Sequence, residues 1–356
     1  MAALWRLTVR FALLAACCAP VPARGEEPLV VRLVAASATD PAIDDVIGVH
    51  HVAIGPAGQR IGRLLLFLPG TTATPQQYAT LIERAATLGH HAIGLAYVNE
   101  VPVNALCAGM GASGCHEQVR REILFGTDES DLVDVDADNG VFHRLERLLA
   151  HLETLAPDEG WSRYRDANAA VRWNRVLVSG HSQGAGHAAF ISRLYRVARA
   201  VLFSGTEPAP WTQAGDFATP GADFFGFAHR LEPIYAPIQA SWDNIGIPGD
   251  PTSVDGVSAP YGGSHQLETA REDCTGDPES NGFHHNCHCV DGWMPLPQPD
   301  GTPAFQPVWD HLFAPEPASV PALGPSGTVV LAALLLGLAS RLTHRQLRGS
   351  GGDSHP

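Results

Sequence analysis

Residues 176–186, Val-Leu-Val-Ser-Gly-His-Ser-Gln-Gly-Ala-Gly, join an apolar β-strand pattern to a run of small residues at the start of a predicted helix. Gly180 and Gly184 flank Ser182 in the spacing Gly-x-Ser-x-Gly. Small residues at these positions permit a tight, strained strand-to-helix turn that exposes the serine hydroxyl above the end of the strand. The stretch therefore predicts a nucleophile elbow with Ser182 at its tip.

Apolar runs alternate with amphipathic stretches on both sides of this turn. They predict strands at residues 29–35, 47–54, 63–68, 91–97, 175–179, 200–203, 224–228 and 265–269, and helices at 75–88, 141–155, 183–199 and 307–313. Such alternation is typical of a mainly parallel sheet with helices on both faces. The sequence thus predicts an α/β protein, and the elbow favours the α/β-hydrolase fold. Residues 104–139 are expected to be a long polar excursion.

An acyl-transfer site needs N–H groups that bind the negative charge of a tetrahedral intermediate. The N–H of Gln183 is predicted to lie at a helix N-terminus, where developing negative charge is stabilised. In this architecture the second donor comes from the loop after the third strand, which here is Leu-Pro-Gly-Thr-Thr at 68–72. We expect the N–H of Thr71, or else that of Thr72, to complete the oxyanion hole.

The acid of a catalytic triad should follow the second strand after the elbow. Glu232 lies shortly after the predicted strand at 224–228 and is the candidate, because a glutamate can orient an imidazole as an aspartate does. Asp243 is the alternative carboxylate in this region.

The histidine of the triad should come last in the chain. Residues 284–289, His-His-Asn-Cys-His-Cys, supply three histidines after the last predicted strand. We select His285 as the base, with His284 as the alternative, and expect His265 to be packed within the strand. The alternating His and Cys residues also suggest a metal site as an alternative. Zinc ligands are usually spaced more widely, however, and secreted cysteines mostly form disulfides, so we predict neither metal nor cofactor.

The N-terminal residues have the pattern of a secretory signal. Residues 1–25 combine early arginines, a short apolar run and small residues suited to cleavage. An alternative is lipidation of Cys17, since Leu-Ala-Ala at 14–16 precedes it as in a lipoprotein box. Removal of the signal leaves residues 26–315 as one predicted hydrolase domain.

The C-terminal residues have the pattern of a membrane anchor. Residues 316–327 form a Pro-rich linker, 328–340 the core of a transmembrane or sorting segment, and 341–356 a basic and then polar tail. This end resembles the sorting tails of bacterial surface proteins through Val-Pro-Ala-Leu-Gly-Pro at 320–325, the apolar span and the arginines after it. The pattern predicts an extracytoplasmic protein, in the periplasm or at the cell surface, that is anchored in the membrane.

Cysteine usage and charge agree with this location. Cys107 and Cys115 close a short Gly-rich loop that favours a disulfide, and Cys274 is expected to pair with Cys287 or Cys289. The net charge is −14, and no basic stripe is present. These features make nucleic acid and anionic membrane surfaces poor partners.

Several short motifs recur together in one known group of proteins. They are Leu-Pro-Gly-Thr at 68–71, the cysteines at 107 and 115, Gly-Thr-Asp at 126–128, Gly-Trp at 160–161, the nine residues at 179–187, Gly-Phe-Ala-His at 226–229, and Asp-Gly-Thr-Pro at 300–303 with Trp309. Through them, residues 60–313 resemble an uncharacterised group of bacterial secreted α/β-hydrolases. The resemblance implies that fold and Ser182 as nucleophile. The chain departs from the group at Glu232, where an aspartate is expected, and in the extra His and Cys near His285.

These features together predict an extracytoplasmic serine hydrolase with carboxylesterase-like activity on a small-molecule or polymeric ester. Ser182 would attack the carbonyl carbon, His285 would transfer the proton and Glu232 would orient the imidazole. Two alternatives stay open because fold and triad recur across chemistries. One is a non-catalytic surface protein that binds a ligand or metal; the other is a peptidase or acyltransferase with the same triad.

Overall fold

The computed structural model describes part of the chain. The described residues are 28–45, 47–110, 114–213 and 217–315. The predicted signal peptide and the predicted membrane segment at 328–340 lie outside them. Within the described ranges, no helix has the length and apolar character needed to cross a membrane.

A nine-stranded sheet forms the centre of the described chain. Its strands are β1 Val30–Val34, β2 His50–Ile54, β3 Leu64–Leu68, β4 His91–Gly94, β5 Val176–His181, β6 Arg199–Phe203, β7 Phe224–His229, β8 Thr252–Ser253 and β9 Gln266–Thr269. They lie in the order β1-β2-β4-β3-β5-β6-β7-β9-β8. Strand β2 pairs antiparallel with β1 and with β4, whereas every other neighbouring pair is parallel. The prediction of an α/β protein with a mainly parallel sheet is confirmed.

Helices cover both faces of this sheet. They are α1 Ala36–Thr39, α2 Ala79–Thr87, α3 Val103–Leu106, α4 Cys115–Phe125, α5 Val141–Leu155, α6 Gln183–Leu194, α7 Tyr235–Ile245, α8 Phe283–Asn286 and α9 Gln306–Phe313. Alternate residues of a strand point to opposite faces. In β3, Leu65 and Phe67 therefore pack with α2 and α9, whereas Leu66 and Leu68 pack in the core that includes α4, α5, α6 and α7.

The predicted helix bounds differ from the observed ones for identifiable reasons. The helix predicted at 75–88 starts with a 3-10 turn, Pro75–Tyr78, before α2 begins. The helix predicted at 183–199 ends at Leu194, because the chain must turn back to enter β6. The sequence pattern missed α7.

The expectation that residues 104–139 form only a polar excursion is wrong. This segment contains most of α3 and all of α4. Helix α4 mixes charged and apolar residues on its buried face, where Arg120 and Glu122 are buried together with Val119 and Ile123. Charged residues on a buried face hide the periodicity that identifies a helix in a sequence.

Two disulfides join the loops near the carboxyl end of the sheet. Cys107 bonds to Cys115, which ties the end of α3 to the start of α4. Cys274 bonds to Cys287, and Cys289 is a free, buried thiol. The predicted Cys107–Cys115 disulfide is confirmed, and Cys287 is the partner of Cys274.

Candidate active site

Ser182 lies on a turn between β5, which ends at His181, and α6, which begins at Gln183. Its backbone has φ 56° and ψ −119°, a positive φ that residues with a side chain rarely adopt. Such a conformation costs on the order of 1–3 kcal/mol and persists only where the surrounding fold enforces it. The structure thus gives Ser182 the strained turn that the Gly-x-Ser-x-Gly spacing predicts.

The two glycines of this motif permit close contact between β5, α6 and the end of β3. A Cβ atom on Gly184 would lie 2.0 Å from the carbonyl oxygen of Leu68, and one on Gly180 would lie 2.4 Å from the carbonyl carbon of Gly184. Real Cβ atoms do not approach backbone atoms this closely. Both positions therefore require glycine.

Replacement of Gly184 by alanine is expected to destabilise the fold. Alanine has the higher helix propensity, by about 1 kcal/mol, but its Cβ would overlap the Leu68 carbonyl oxygen in a buried strand. Overpacking of this kind outweighs the propensity gain, so we expect a net loss of about 2 kcal/mol in the free energy of unfolding. Chemical denaturation measures it. Gly58→Ala is the matched control, because a Cβ at Gly58 meets nothing within 4 Å. Equal stability of both variants would contradict the prediction.

The loop after β3 lies against the serine. A Cβ atom on Gly70 would be 3.3 Å from the Cβ of Ser182. The N–H of Thr72 donates to the carbonyl oxygen of Asn99 at 2.9 Å, so it is not available to a substrate. Within the described residues, the N–H groups of Thr71 and Gln183 donate to no protein acceptor. Of the two predicted alternatives, Thr71 is therefore the one whose N–H is left to bind another acceptor.

Glu232 and His285 form a hydrogen-bonded pair. His285 Nδ1 lies 2.5 Å from Glu232 Oε2. The other carboxylate oxygen, Oε1, accepts from Ser204 Oγ at 2.6 Å and from the His229 N–H at 3.1 Å. Only 4% of Glu232 is exposed, and three donors fix its orientation. Because the carboxylate occupies Nδ1, Nε2 is the imidazole nitrogen left to exchange a proton with a substrate or nucleophile.

The alternative candidates have other partners. Asp243 lies in α7, where its Oδ1 accepts from the Gln266 amide at 3.3 Å. The His284 ring packs against His229, with 4.5 Å between ring centroids. His265 immediately precedes β9 and stacks on Phe225 at 3.8 Å.

Two cavities lined by described residues lie beside Ser182. The first has a volume of about 450 Å³ and is lined by Ser182, His285, Trp293 and the Gly70–Thr71 loop; we call it the His285 cavity. The second has a volume of about 400 Å³ and is lined by Thr71, Ser182, Gln183 and Arg120 among others; we call it the Arg120 cavity. Among the described residues, His285 lines the first and not the second. The serine is therefore accessible from two sides, only one of which contains the imidazole.

Sequence reasoning missed two residues that support the pair. Ser204 follows β6 and donates to Glu232, and it lies 3.1 Å from Nε2 of the buried His288. Because the Ser204 proton is donated to the carboxylate, His288 Nε2–H must donate to Ser204. His288 belongs to the same His-rich loop as His285, which was the available signal for it. No sequence signal identifies Ser204, because it reaches Glu232 only when β6 and β7 lie side by side in the folded sheet.

His and Cys residues supply one group of potential metal ligands among the described residues. Potential ligand atoms of His229, Cys274 and Cys287 lie within 4.8 Å of one another. The two sulfurs are bonded to each other, however, so they are not thiolates able to bind zinc. Burial also raises the pKa of the Cys289 thiol well above its ordinary value. These donors do not fit a zinc site.

No family model matches the chain, and no curated protein matches it. The assignment of the site therefore depends on its own geometry: a strained serine turn, a carboxylate–imidazole pair and two free N–H groups at one end of the sheet.

Proposed function

We propose that this chain is a serine hydrolase of the α/β-hydrolase fold with carboxylesterase-like activity. The observation that carries the proposal is the meeting of Ser182 and His285 in one cavity, with His285 bonded to the buried Glu232. The serine belongs to the strained turn, and the imidazole leaves Nε2 for proton transfer. A nucleophile, a base and an orienting acid in this arrangement are the parts of a catalytic triad.

The sheet topology supports this proposal. Strands β3 and β5 are neighbours, and the chain proceeds from β3 outward to β4 on one side and from β5 outward to β6 on the other. In open α/β sheets, ligands bind beyond the carboxyl ends of the strands where the strand order reverses in this way. Thr71 follows β3 and Ser182 follows β5, so the proposed oxyanion donor and nucleophile flank this point.

The proposed reaction proceeds through an acyl-enzyme. Ser182 Oγ attacks the ester carbonyl carbon while His285 Nε2 accepts its proton, and Glu232 stabilises the imidazolium that forms. The Thr71 and Gln183 N–H groups bind the oxyanion. His285 then protonates the leaving alcohol, and a water molecule activated by the same imidazole hydrolyses the acyl-enzyme. No step of this scheme requires a cofactor.

The proposed location is extracytoplasmic. Two disulfides in the described residues favour an oxidising compartment. Secretion by the predicted signal and anchoring by the segment at 328–340 belong to this proposal, and both segments lie outside the described residues.

A fluorophosphonate probe tests the nucleophile directly. We expect covalent labelling of the wild-type protein, with the modified peptide mapping to Ser182, and no labelling of Ser182→Ala. Ser192→Ala is the matched control, because Ser192 is buried in α6 and donates to the Ala188 carbonyl oxygen. Labelling that persists in Ser182→Ala, or its absence from the wild type, would refute the proposal. Parallel assays with esters, peptides and acyl acceptors then separate an esterase from a peptidase or an acyltransferase.

A further inference from the structure

The division of space around Ser182 indicates which half of the substrate lies on each side. His285 must protonate the oxygen of the leaving alcohol, so the alcohol belongs on the side of the imidazole. The His285 cavity meets this requirement, whereas the Arg120 cavity contains Ser182 and Gln183 without His285. We propose that the Arg120 cavity binds the acyl group, and that this group is uncharged and of medium length. The inference rests on the proposed hydrolase function.

The walls of the Arg120 cavity are mostly apolar. Apolar residues of α3, the disulfide and the start of α7 contribute to them, including Val103, Cys107, Ala108, Ile234 and Ile238. A water molecule occupies about 30 Å³ in the liquid, and a methylene group is of similar size. A cavity of about 400 Å³ therefore has room for at most roughly thirteen such groups, so it accommodates an acyl chain of roughly six to ten carbons but not a palmitoyl chain.

The charged residues in the wall neutralise each other. Arg120 Nε donates to Glu207 Oε1 at 3.0 Å and Nη2 donates to Oε2 at 2.5 Å, with only 2% of Arg120 exposed. Burial acts to raise the pKa of Glu207, but the charge and hydrogen bonds of Arg120, together with hydrogen bonds from Thr206 and the backbone, bring it below its ordinary value, so the carboxylate stays ionised. His116 is the other ionisable lining residue, and burial lowers its pKa. Among its described lining residues, the cavity thus offers no unpaired cation to an acyl group that carries a carboxylate.

A series of p-nitrophenyl esters tests this assignment. We expect kcat/KM to rise roughly tenfold or more from acetate to hexanoate and to fall for palmitate, and the hemisuccinate to react at least roughly tenfold more slowly than butyrate. Ile234→Trp and Ala108→Trp narrow two different wall segments and should each lower the hexanoate-to-acetate ratio roughly tenfold. Leu155→Trp is the control, since Leu155 is exposed at the end of α5 and lines neither cavity.

The outcomes separate this inference from the proposed function. An active esterase whose hexanoate-to-acetate ratio is unchanged in both tryptophan variants, or which prefers the hemisuccinate, overturns the acyl-cavity assignment alone. A change in alcohol preference instead of acyl preference also overturns it, because the two cavities would then be reversed. A protein that neither reacts with the fluorophosphonate nor hydrolyses any ester overturns both.

A separate observation concerns His181, the residue before the serine. Its Nε2 lies 3.0 Å from the carbonyl oxygen of His285, and its Nδ1 lies 2.9 Å from the Tyr78 hydroxyl. A carbonyl only accepts, so Nε2 carries the proton. Burial lowers the pKa of His181 far below its ordinary value, so the ring is neutral and Nδ1 accepts from Tyr78 O–H. The Tyr78 oxygen accepts in turn from the Gly70 N–H at 3.1 Å.

This chain of hydrogen bonds connects three parts of the proposed site. It begins at Gly70, next to the oxyanion donor Thr71, passes through the residue beside Ser182 and ends on the backbone of His285. We infer that Tyr78 and His181 are positioning residues that set the distance between nucleophile, oxyanion loop and base. This inference also rests on the proposed function.

The protein contains a matched pair outside the site. The Tyr164 hydroxyl has two partners, as the Tyr78 hydroxyl does: it lies 2.9 Å from His91 Nδ1 and 3.0 Å from the Arg63 carbonyl oxygen. His91 Nε2 lies 2.9 Å from the Glu159 carbonyl oxygen. Both rings are fully buried, as Tyr78 and His181 nearly are, and neither lines the two cavities. Tyr164→Phe therefore removes the same kind of contact without touching the proposed machinery.

Comparison of Tyr78→Phe with Tyr164→Phe tests the positioning role. We expect similar decreases in Tm, but a decrease in kcat of roughly tenfold or more, with little change in KM, for Tyr78→Phe alone. The rate of fluorophosphonate inactivation should fall in parallel, because it depends on the same serine–histidine alignment. Equal kcat values for the two folded variants overturn the positioning role. If both variants are labelled by the probe at the wild-type rate, the serine assignment survives while this inference fails.

Discussion

Replacement of His285 by glutamine is expected to lower kcat/KM for ester hydrolysis by roughly 10⁴- to 10⁶-fold, the range in which loss of a triad base falls. Glutamine can still donate an N–H to Glu232 Oε2, so the buried carboxylate keeps a partner. It cannot accept the proton of Ser182 at neutral pH. The loss should therefore lie in kcat, with a smaller effect on KM.

His284→Gln is the matched control for this variant. The two histidines are adjacent in α8, yet the His284 ring packs on His229 whereas His285 contacts the carboxylate. We expect His284→Gln to retain activity within a few-fold of the wild type. Stopped-flow or steady-state assays with a p-nitrophenyl ester measure kcat and KM for both variants. Near-wild-type turnover by His285→Gln together with loss in His284→Gln would transfer the role of base to His284.

The parts of the fold that the sequence predicts well are those with local signals. Strand β5 and the turn at Ser182 follow from an apolar run and obligatory glycines, and α5 follows from a clear helical period over Val141–Leu155. Helix α4 has a weaker period than α5, because its buried face includes Arg120, which pairs with Glu207 at a position 87 residues further along the chain. The sequence around α4 cannot reveal an ion pair that forms only when the chain has folded.

The same distinction applies to the site. Ser182 and the Gly70–Thr71 loop can be recognised in the sequence because their predicted roles require tight turns, and small residues in the sequence indicate such turns. Order in the chain favours Glu232 and His285 among several carboxylates and histidines, and the fold brings these two together. Ser204 and Tyr78 act through contacts across the sheet, so nothing in their immediate sequence distinguishes them from ordinary core residues.

Replacement of Glu232 by glutamine is expected to lower kcat by roughly 10⁴-fold, as for other triads whose acid becomes an amide. The surrounding donors decide how the amide would be oriented. Ser204 Oγ and the His229 N–H both donate to Oε1, so the amide oxygen takes that position and the NH₂ group faces His285 Nδ1. A donor at this position places the imidazole proton on Nε2, and Nε2 then cannot accept the proton of Ser182.

Asp243→Asn supplies the comparison for the acid, since Asp243 contacts Gln266 and not His285. We expect Asp243→Asn to retain kcat within a few-fold. The energetic coupling between Glu232 and Ser204 can be measured with a double variant. In Ser204→Ala, the oxygen at the Oε1 position retains one donor, the His229 N–H, so the amide of Glu232→Gln is less strongly oriented. The double variant should then lose less activity than the two single effects multiplied together. Loss of activity in Asp243→Asn, with turnover by Glu232→Gln within roughly tenfold of wild type, would show that the acid had been misassigned.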